Sequence, residues 1–134
     1  MNSVLYDQTF ISFSEKYILM RGLIVRKPFG TLIVEGKKKL EIRKRPTKLR
    51  ERVVIIENGK AIGEVDIADV VGPVGLEELK KLEEYHLAGD FLEEYVGDGY
   101  AYVWVLKNPK KYEKPRKIKK PRGAMVFIKD VEFK

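Results

Sequence analysis

Hydrophobic and polar positions alternate along much of the chain with the period of two that is typical of β-strands. The clearest case is segment 39–43, in which two aliphatic residues alternate with charged ones, so a half-buried strand is predicted there. Residues 53–56 are continuously apolar, and Asn58-Gly59, the dipeptide most typical of a hairpin turn, follows them. Together these patterns predict a central strand that turns into the next strand at this dipeptide.

Other segments complete a coarse prediction of secondary structure. Further strands are predicted at residues 22–27, 100–106 and 124–128. A short helix is predicted from Pro28 to Gly36 and a longer amphipathic helix over residues 76–86. Residues 88–99 are predicted as a loop or a last helical turn, and the basic, proline-containing segment 107–123 as a connection between the last two strands.

The order of these elements predicts the fold class. Strands dominate, and the regular strand–helix–strand order of a doubly wound parallel sheet is absent from the pattern. The chain of 134 residues fits one compact domain. We therefore predict an α+β or mainly β fold, a small and mostly antiparallel β-barrel with helices on its flanks.

The charge is unevenly distributed along the chain. The net charge is +7, and residues 36–52 carry nine Lys/Arg against two acidic residues, while residues 107–134 carry eleven against three. Residues 64–98 carry eleven acidic residues against two basic ones. One positive face for an anionic partner such as RNA is predicted if the fold joins the two basic segments. The alternative is two solvated basic surfaces that bind nothing.

The composition excludes several kinds of chemistry. The sequence has no cysteine and one histidine, which excludes disulfides, thiolate zinc sites, thiol catalysis and histidine-rich metal sites. No metal or other cofactor is therefore expected. The N-terminal segment lacks the pattern of a signal peptide, and no apolar run reaches the roughly 18 residues of a membrane span. A cytoplasmic protein is expected, without a membrane partner; no oligomeric state is predicted.

The stretch "EGKKKLEIRKRP" and the predicted short helix before it together form a motif. A proline–aromatic pair starts the predicted short helix, and a Gly-x-Lys-x-x-Glu-x-Arg pattern follows it. The residues concerned are Pro28, Phe29, Gly36, Lys38, Glu41 and Arg43. In this arrangement, and in its closing aromatic and basic segment, the chain resembles the ASCH domain family. The resemblance covers residues 20–134 and leaves residues 1–19 as an N-terminal extension.

The resemblance implies a PUA-like β-barrel whose motif lies at a cleft facing RNA or a nucleotide. Some small bacterial members of the family are amidohydrolases that remove the acyl group of N4-acetylcytidine. In them a lysine matching Lys38 takes part in the chemistry, and a threonine stands where this chain has Glu41. Their acidic partner follows the central helix, and Asp90 is the nearest candidate in this chain.

The side chains of the motif also suggest roles from their own chemistry. Arg43 offers planar donors that suit a phosphate or a pyrimidine carbonyl, and Glu41 can accept from an exocyclic amine. Lys38 can neutralise Glu41, or it can act as a base or nucleophile if burial lowers its pKa. Arg26 and Lys27, at the end of the first strand, are the next candidates for ligand binding. Contacts to the RNA backbone are predicted for Arg45, Lys117, Lys119, Lys120 and Arg122.

Three interpretations of the motif therefore stay open: binding of RNA or a nucleotide, hydrolysis of an acylated nucleoside, and an ion-pair network without a ligand. His86 is predicted to be a packed or helix-end histidine, not a catalyst. Tyr100, Tyr102 and Trp104 share one strand face and are predicted to pack in the core.

Overall fold

The computed structural model describes residues 19–119, 123 and 126–134, which form a mixed α+β fold. In chain order the elements are β1 (Gly22–Ile24), α1 (Phe29–Val34), β2 (Leu40–Arg43), β3 (Arg52–Glu57), β4 (Lys60–Gly75), α2 (Leu76–Lys80), α3 (Glu83–His86), α4 (Phe91–Val96), β5 (Tyr100–Lys117) and β6 (Phe127–Ile128). None of the helices in this part of the chain is long and apolar enough to cross a membrane.

The strands form one sheet in the order β2-β5-β4-β3-β1-β6. All neighbours are antiparallel except β1 and β3, which run parallel. The predicted hairpin joins β3 to β4, and its turn residues Asn58 and Gly59 have φ angles of 55° and 78°. Such left-handed angles at both turn positions are those of the hairpin turns that Asn-Gly favours. Residues 53–56 are buried in the middle of the sheet, as predicted for a central strand.

The expected barrel is not confirmed, because within the described ranges β2 and β6 end the sheet without a main-chain ladder between them. Side chains nevertheless bring the two ends of the sheet together. Arg43 on β2 donates from Nη2 to the carbonyl oxygen of Ile24 on β1 over 2.9 Å. The ring of Trp104 on β5 stacks on Phe127 of β6, with centroids 5.8 Å apart. The sheet is therefore curled, and side-chain contacts substitute for a closing strand pair.

The prediction that residues 107–123 form a connection is wrong as far as Lys117, because β5 continues to that residue and pairs with β4. Two prolines of β5 are tolerated because the register of its pairing with β4 shifts where they occur. The register shifts between Glu64 and Asp66 and again between Ala61 and Gly63, which leaves extra β5 residues around prolines 109 and 115. Bulged residues are released from main-chain pairing, so a missing N–H costs no ladder bond.

The helical segment also differs from the prediction. The helix expected over residues 76–86 is divided into α2 and α3, and residues 88–99, expected as a loop or a last helical turn, contain the separate helix α4. The division follows from the bonds of Leu79, whose carbonyl oxygen accepts from the Leu82 N–H and contacts His86 Nε2 at 2.7 Å. In a continuous helix this carbonyl oxygen would instead accept from the N–H of residue 83. Buried Leu79 packs with Leu92 and Val96, which fixes the helices against β2 and β5.

Candidate functional site

Strand β2 places the motif at the open end of the curled sheet. The predicted alternation is confirmed, since Leu40 and Ile42 pack among the residues of the helical cluster. Glu41 stands opposite Trp104 in the ladder, so its side chain lies on the other face, towards β1 and α1. The expectation that this face is solvated is wrong at Glu41, which is only 7% exposed because the sheet curls over it.

The carboxylate of Glu41 lies between two cations. Its Oε1 is 3.5 Å from Lys38 Nζ, and its Oε2 accepts from Arg43 Nε at 2.9 Å and lies 2.9 Å from Arg43 Nη2. All three groups are removed from most solvent, with side-chain exposures of 2%, 9% and 17% for Lys38, Glu41 and Arg43. Removing Glu41 would leave two cations without a counter-charge, and removing either cation would leave Glu41 with a single partner, so the three side chains depend on one another.

Lys38 is positioned by the turn that follows α1. Gly36 has a φ of 78°, and the N–H groups of Lys37 and Lys38 both bond to the carbonyl oxygen of Leu32, which reverses the chain into β2. The Lys38 ammonium donates to the carbonyl oxygen of His86 and lies 5.0 Å from the centroid of the Phe29 ring. Burial lowers the pKa of Lys38, and the nearby Glu41 carboxylate opposes this effect.

Arg43 connects elements that are distant in the sequence. Besides its bonds to Glu41 and to the Ile24 carbonyl, its guanidinium carbon lies 5.7 Å from the centroid of the Trp104 ring. Arg43 lies on the polar side of the predicted half-buried strand, yet it is not a free side chain. Its Nε and Nη2 atoms are used to join β2 to β1, and the side chain is part of the structure as well as of the cleft.

A cleft of about 650 Å³ opens at this end of the sheet. The structure brings all five residues predicted for ligand binding to its walls, and these are Arg26, Lys27, Lys38, Glu41 and Arg43. The predicted catalytic acid is not among the residues that line it: Asp90 is exposed and immediately precedes α4. The cleft thus combines an ionic floor, formed by Lys38, Glu41 and Arg43, with a rim that carries the exposed cations Arg26 and Lys27.

An aromatic wall, defined here as Phe29, Phe91 and Tyr95, was missed by the sequence analysis. All three rings line the cleft, and two of them belong to α4. The spacing of four residues between Phe91 and Tyr95 is a helical signal within the segment predicted as a loop or a last helical turn. Asn58 and Gly59 at the hairpin tip also line the cleft. Their turn was predicted, but its position beside the motif depends on the pairing of β1 with β3.

The residues predicted to contact an RNA backbone are dispersed. Lys117 pairs with Lys60, next to the hairpin tip that lines the cleft. Lys119 is exposed and lies 3.4 Å from a carboxylate oxygen of Glu132. Arg45 is exposed beyond the end of β2, and its carbonyl oxygen accepts from Trp104 Nε1. Predicted contacts at Lys120 and Arg122 lie outside the described residues.

Other sequence candidates have structural roles. His86 is fully buried; its Nδ1 accepts from the Ala88 N–H at 3.0 Å, so its Nε2 carries the proton and donates to the Leu79 carbonyl. The prediction of a packed histidine is confirmed. Trp104 is buried as predicted, whereas Tyr100 is 67% exposed, so core packing is wrong for that tyrosine. Among the residues with described positions, no cluster of three or more His, Asp or Glu side chains is arranged to hold a metal ion.

Comparisons with known proteins identify the fold. A family model described as "ASCH domain" matches residues 23–116. The ASCH protein of Zymomonas mobilis is similar in structure, with a TM-score of 0.62 and 22% sequence identity over 71% of each chain. A tyrosine-to-phenylalanine mutant of that protein gives a TM-score of 0.63 and 22% identity over 72% of this chain and 74% of its own. A comparison with curated proteins finds no match. At this level of identity the structural likeness establishes the fold alone.

The bonds of Arg43 generate a prediction about stability. The Arg43→Ala variant should lose about 2–4 kcal/mol of unfolding free energy, because Glu41 loses its closest partner and the Ile24 carbonyl loses a donor. Urea unfolding followed by circular dichroism measures the change. Lys81→Ala, which breaks an exposed pair with Glu78, is the control and should cost less than about 1 kcal/mol. Equal midpoints for wild type and Arg43→Ala would contradict the structural role.

The pKa of Lys38 generates a second prediction. Burial lowers the pKa of Lys38 in the folded protein below the ordinary value of 10.5 that it has in the unfolded chain. Between these two pKa values the unfolded chain binds more protons at this residue than the folded protein does. The wild type should therefore gain stability relative to Lys38→Met as pH rises through that window. Unfolding free energies of both proteins between neutral pH and pH 10.5 give the difference, in which the titration of other lysines cancels. A difference that moves in the opposite direction would show that Glu41 outweighs burial.

Proposed function

The chain belongs to the ASCH domain family, and on that premise we propose that its cleft binds RNA or a nucleotide derivative. The family as a whole is associated with RNA binding. The observation that carries the proposal is the convergence of the motif residues Lys38, Glu41 and Arg43 with the exposed cations Arg26 and Lys27 in one cleft. Helix α1 and the turn after it separate the two groups in the sequence, and both groups line this cleft.

The charges of the cleft suit a ligand that has an anionic part and a polar, neutral part. On the floor, one carboxylate partly neutralises two cations, which leaves one net positive charge among three side chains. At the rim, Arg26 and Lys27 are exposed and can attract a phosphate without first losing a buried partner. In this assignment the rim positions the backbone, and the floor and walls contact the base.

The basic part of β5 extends the proposed surface. Lys117 lies opposite Lys60, and Arg116 lies opposite Ala61, beside the hairpin whose tip lines the cleft. These three cations are exposed. An RNA strand that leaves the cleft over the hairpin tip would pass them, and each phosphate contact would release counterions. Lys119 and Arg45 are further candidates for such contacts.

Binding is tested with a fluorescently labelled single-stranded RNA and two matched double variants. Arg26→Ala/Lys27→Ala should lower affinity about tenfold or more and reduce the slope of log K against log salt by up to about two. Lys80→Ala/Lys81→Ala removes the same charge at the end of α2 and at the residue that follows it. Neither lysine lines the cleft, so this variant should change neither quantity by more than about twofold.

Equal losses in the two double variants would mean that only net charge attracts RNA and that the cleft has no special part. Lys117→Ala, measured in the same titration, tests the extension along β5. Its salt slope should fall by about one if Lys117 contacts a phosphate. An unchanged slope would remove β5 from the proposed surface and leave the cleft as the binding site.

A second candidate function is amide hydrolysis of an acylated nucleoside such as N4-acetylcytidine. The observation that favours it is the position of Lys38, a buried amine with a lowered pKa on the floor of the cleft and beside a carboxylate. Such an amine can act as a base or nucleophile at a bound acyl group. Glu41 is the proton carrier in this candidate mechanism, because Asp90 does not line the cleft.

Release of acetate from N4-acetylcytidine separates this candidate from simple binding. If the protein is an amidohydrolase, Lys38→Ala should abolish release and weaken nucleoside binding far less, which is the pattern of an interaction made in the transition state. Lys39→Ala, an exposed neighbour that does not line the cleft, is the control and should retain the wild-type rate. Wild-type protein that binds the nucleoside and releases no acetate above buffer would exclude this activity.

A further inference from the structure

The aromatic wall has a geometry that the ionic floor does not explain. Phe91 and Tyr95 lie one turn apart on α4, and their rings are stacked with centroids 5.3 Å apart and planes 27° apart. The ring of Phe29, from the start of α1, lies 6.0 Å from that of Phe91. All three rings are half-buried, and Phe29 and Tyr95 pack on the edges of two hydrophobic clusters. They form a partly exposed aromatic surface along one side of the cleft.

Each ring of this wall is accompanied by a cation. The guanidinium carbon of Arg26 lies 5.2 Å from the centroid of Phe91, Lys44 Nζ lies 5.2 Å from Tyr95, and Lys38 Nζ lies 5.0 Å from Phe29. Arg26 and Lys44 are exposed, and the Lys44 N–H donates to the Tyr95 hydroxyl at 3.1 Å. Positive charge is therefore held directly beside half-buried aromatic rings, a combination that suits a flat aromatic group attached to an anion.

Resting on the function proposed above, we propose that the aromatic wall is a stacking platform for one unpaired nucleobase, with Phe91 and Tyr95 as its main contacts. The base displaces the Arg26 guanidinium from Phe91, because stacking on an aromatic side chain is worth more than an exposed cation–π contact. Arg26 and Lys44 then flank the phosphate of the same nucleotide. The ligand class is single-stranded RNA or a free nucleotide, and a paired base is excluded because its faces are already stacked.

The shape of the cleft supports this occupant over a flexible apolar one. Its volume of about 650 Å³ lies in the range of small-molecule sites. An acyl chain on the aromatic wall would leave the opposing ionic floor of Lys38, Glu41 and Arg43 without polar contacts from the ligand. A base on the wall directs its polar edge at that floor. The wall then selects for an unpaired base, and the floor selects among base edges.

The test uses the full-length chain and two probes, a labelled single-stranded RNA and the same RNA with one 2-aminopurine. Phe91→Leu keeps the apolar side chain and removes the ring, and it should lower affinity about tenfold with an unchanged salt slope. Phe91→Tyr keeps the ring and should bind within about twofold of the wild type. Stacking should quench the 2-aminopurine emission when wild-type protein binds, and Phe91→Leu should lose that quenching.

The outcomes separate this inference from the function on which it depends. Wild-type protein that binds neither RNA probe, nor a free nucleotide in the same titration, overturns the proposed function and the stacking platform together. If wild-type protein binds the RNA and does not quench the 2-aminopurine emission at any position of that base, the platform is overturned and the binding function stays intact. This measurement does not depend on any variant being folded. Equal affinities for wild type and a Phe91→Leu variant with native circular dichroism overturn the platform in the same way.

Discussion

The buried carboxylate of Glu41 is the interaction on which the site and much of the surrounding structure depend. It holds Lys38 on one side and Arg43 on the other, and each cation connects Glu41 to a different part of the chain. Lys38 bonds to the carbonyl oxygen at the end of α3, and Arg43 bonds to the carbonyl oxygen at the end of β1. Without the carboxylate, two buried cations would face each other at the mouth of the sheet, which is unfavourable at low dielectric.

Filling this space with charged groups carries a desolvation penalty. A buried ion pair often contributes no more to stability than apolar side chains of the same size, because both ions lose their hydration. What the network supplies is a fixed arrangement of donors and acceptors next to a cleft, with one net positive charge. The interpretation as an ion-pair network and the interpretation as a binding site are therefore compatible. The same bonds that join β1 to β2 also hold the polar groups that a ligand would meet.

The position of this network depends on the way in which the sheet curls. Its two ends are joined by side-chain contacts of Arg43 with Ile24 and of Trp104 with Phe127, with no ladder of main-chain bonds between the end strands in the described segments. A gap between strands that are not fully paired leaves room for a cleft, whereas a closed ladder would fill it. The bulges in the β4–β5 pair contribute to the curl of the sheet, since each bulge bends the pair and increases its twist.

The sequence by itself determined the local features of this protein. The period of two over residues 39–43 predicted β2, Asn58-Gly59 predicted the hairpin, and the spacing of the motif identified the family. It did not predict that Glu41 is buried, because alternation shows which face of a strand is apolar and not whether distant residues cover the other face. The strand character of residues 107–117 depended on bulges of β5 in its pairing with β4, which no local pattern reveals.

The aromatic wall shows the same division between local and tertiary information. The spacing of Phe91 and Tyr95 contained a helical signal, yet their position opposite the motif depended on the packing of Leu92 and Val96 against Leu79. Only the tertiary structure decided that these rings, the hairpin tip and the motif share one cleft. The physical reason is that a binding site is formed by contacts between segments remote in the chain, whereas sequence periodicity reports only on the faces of a single segment.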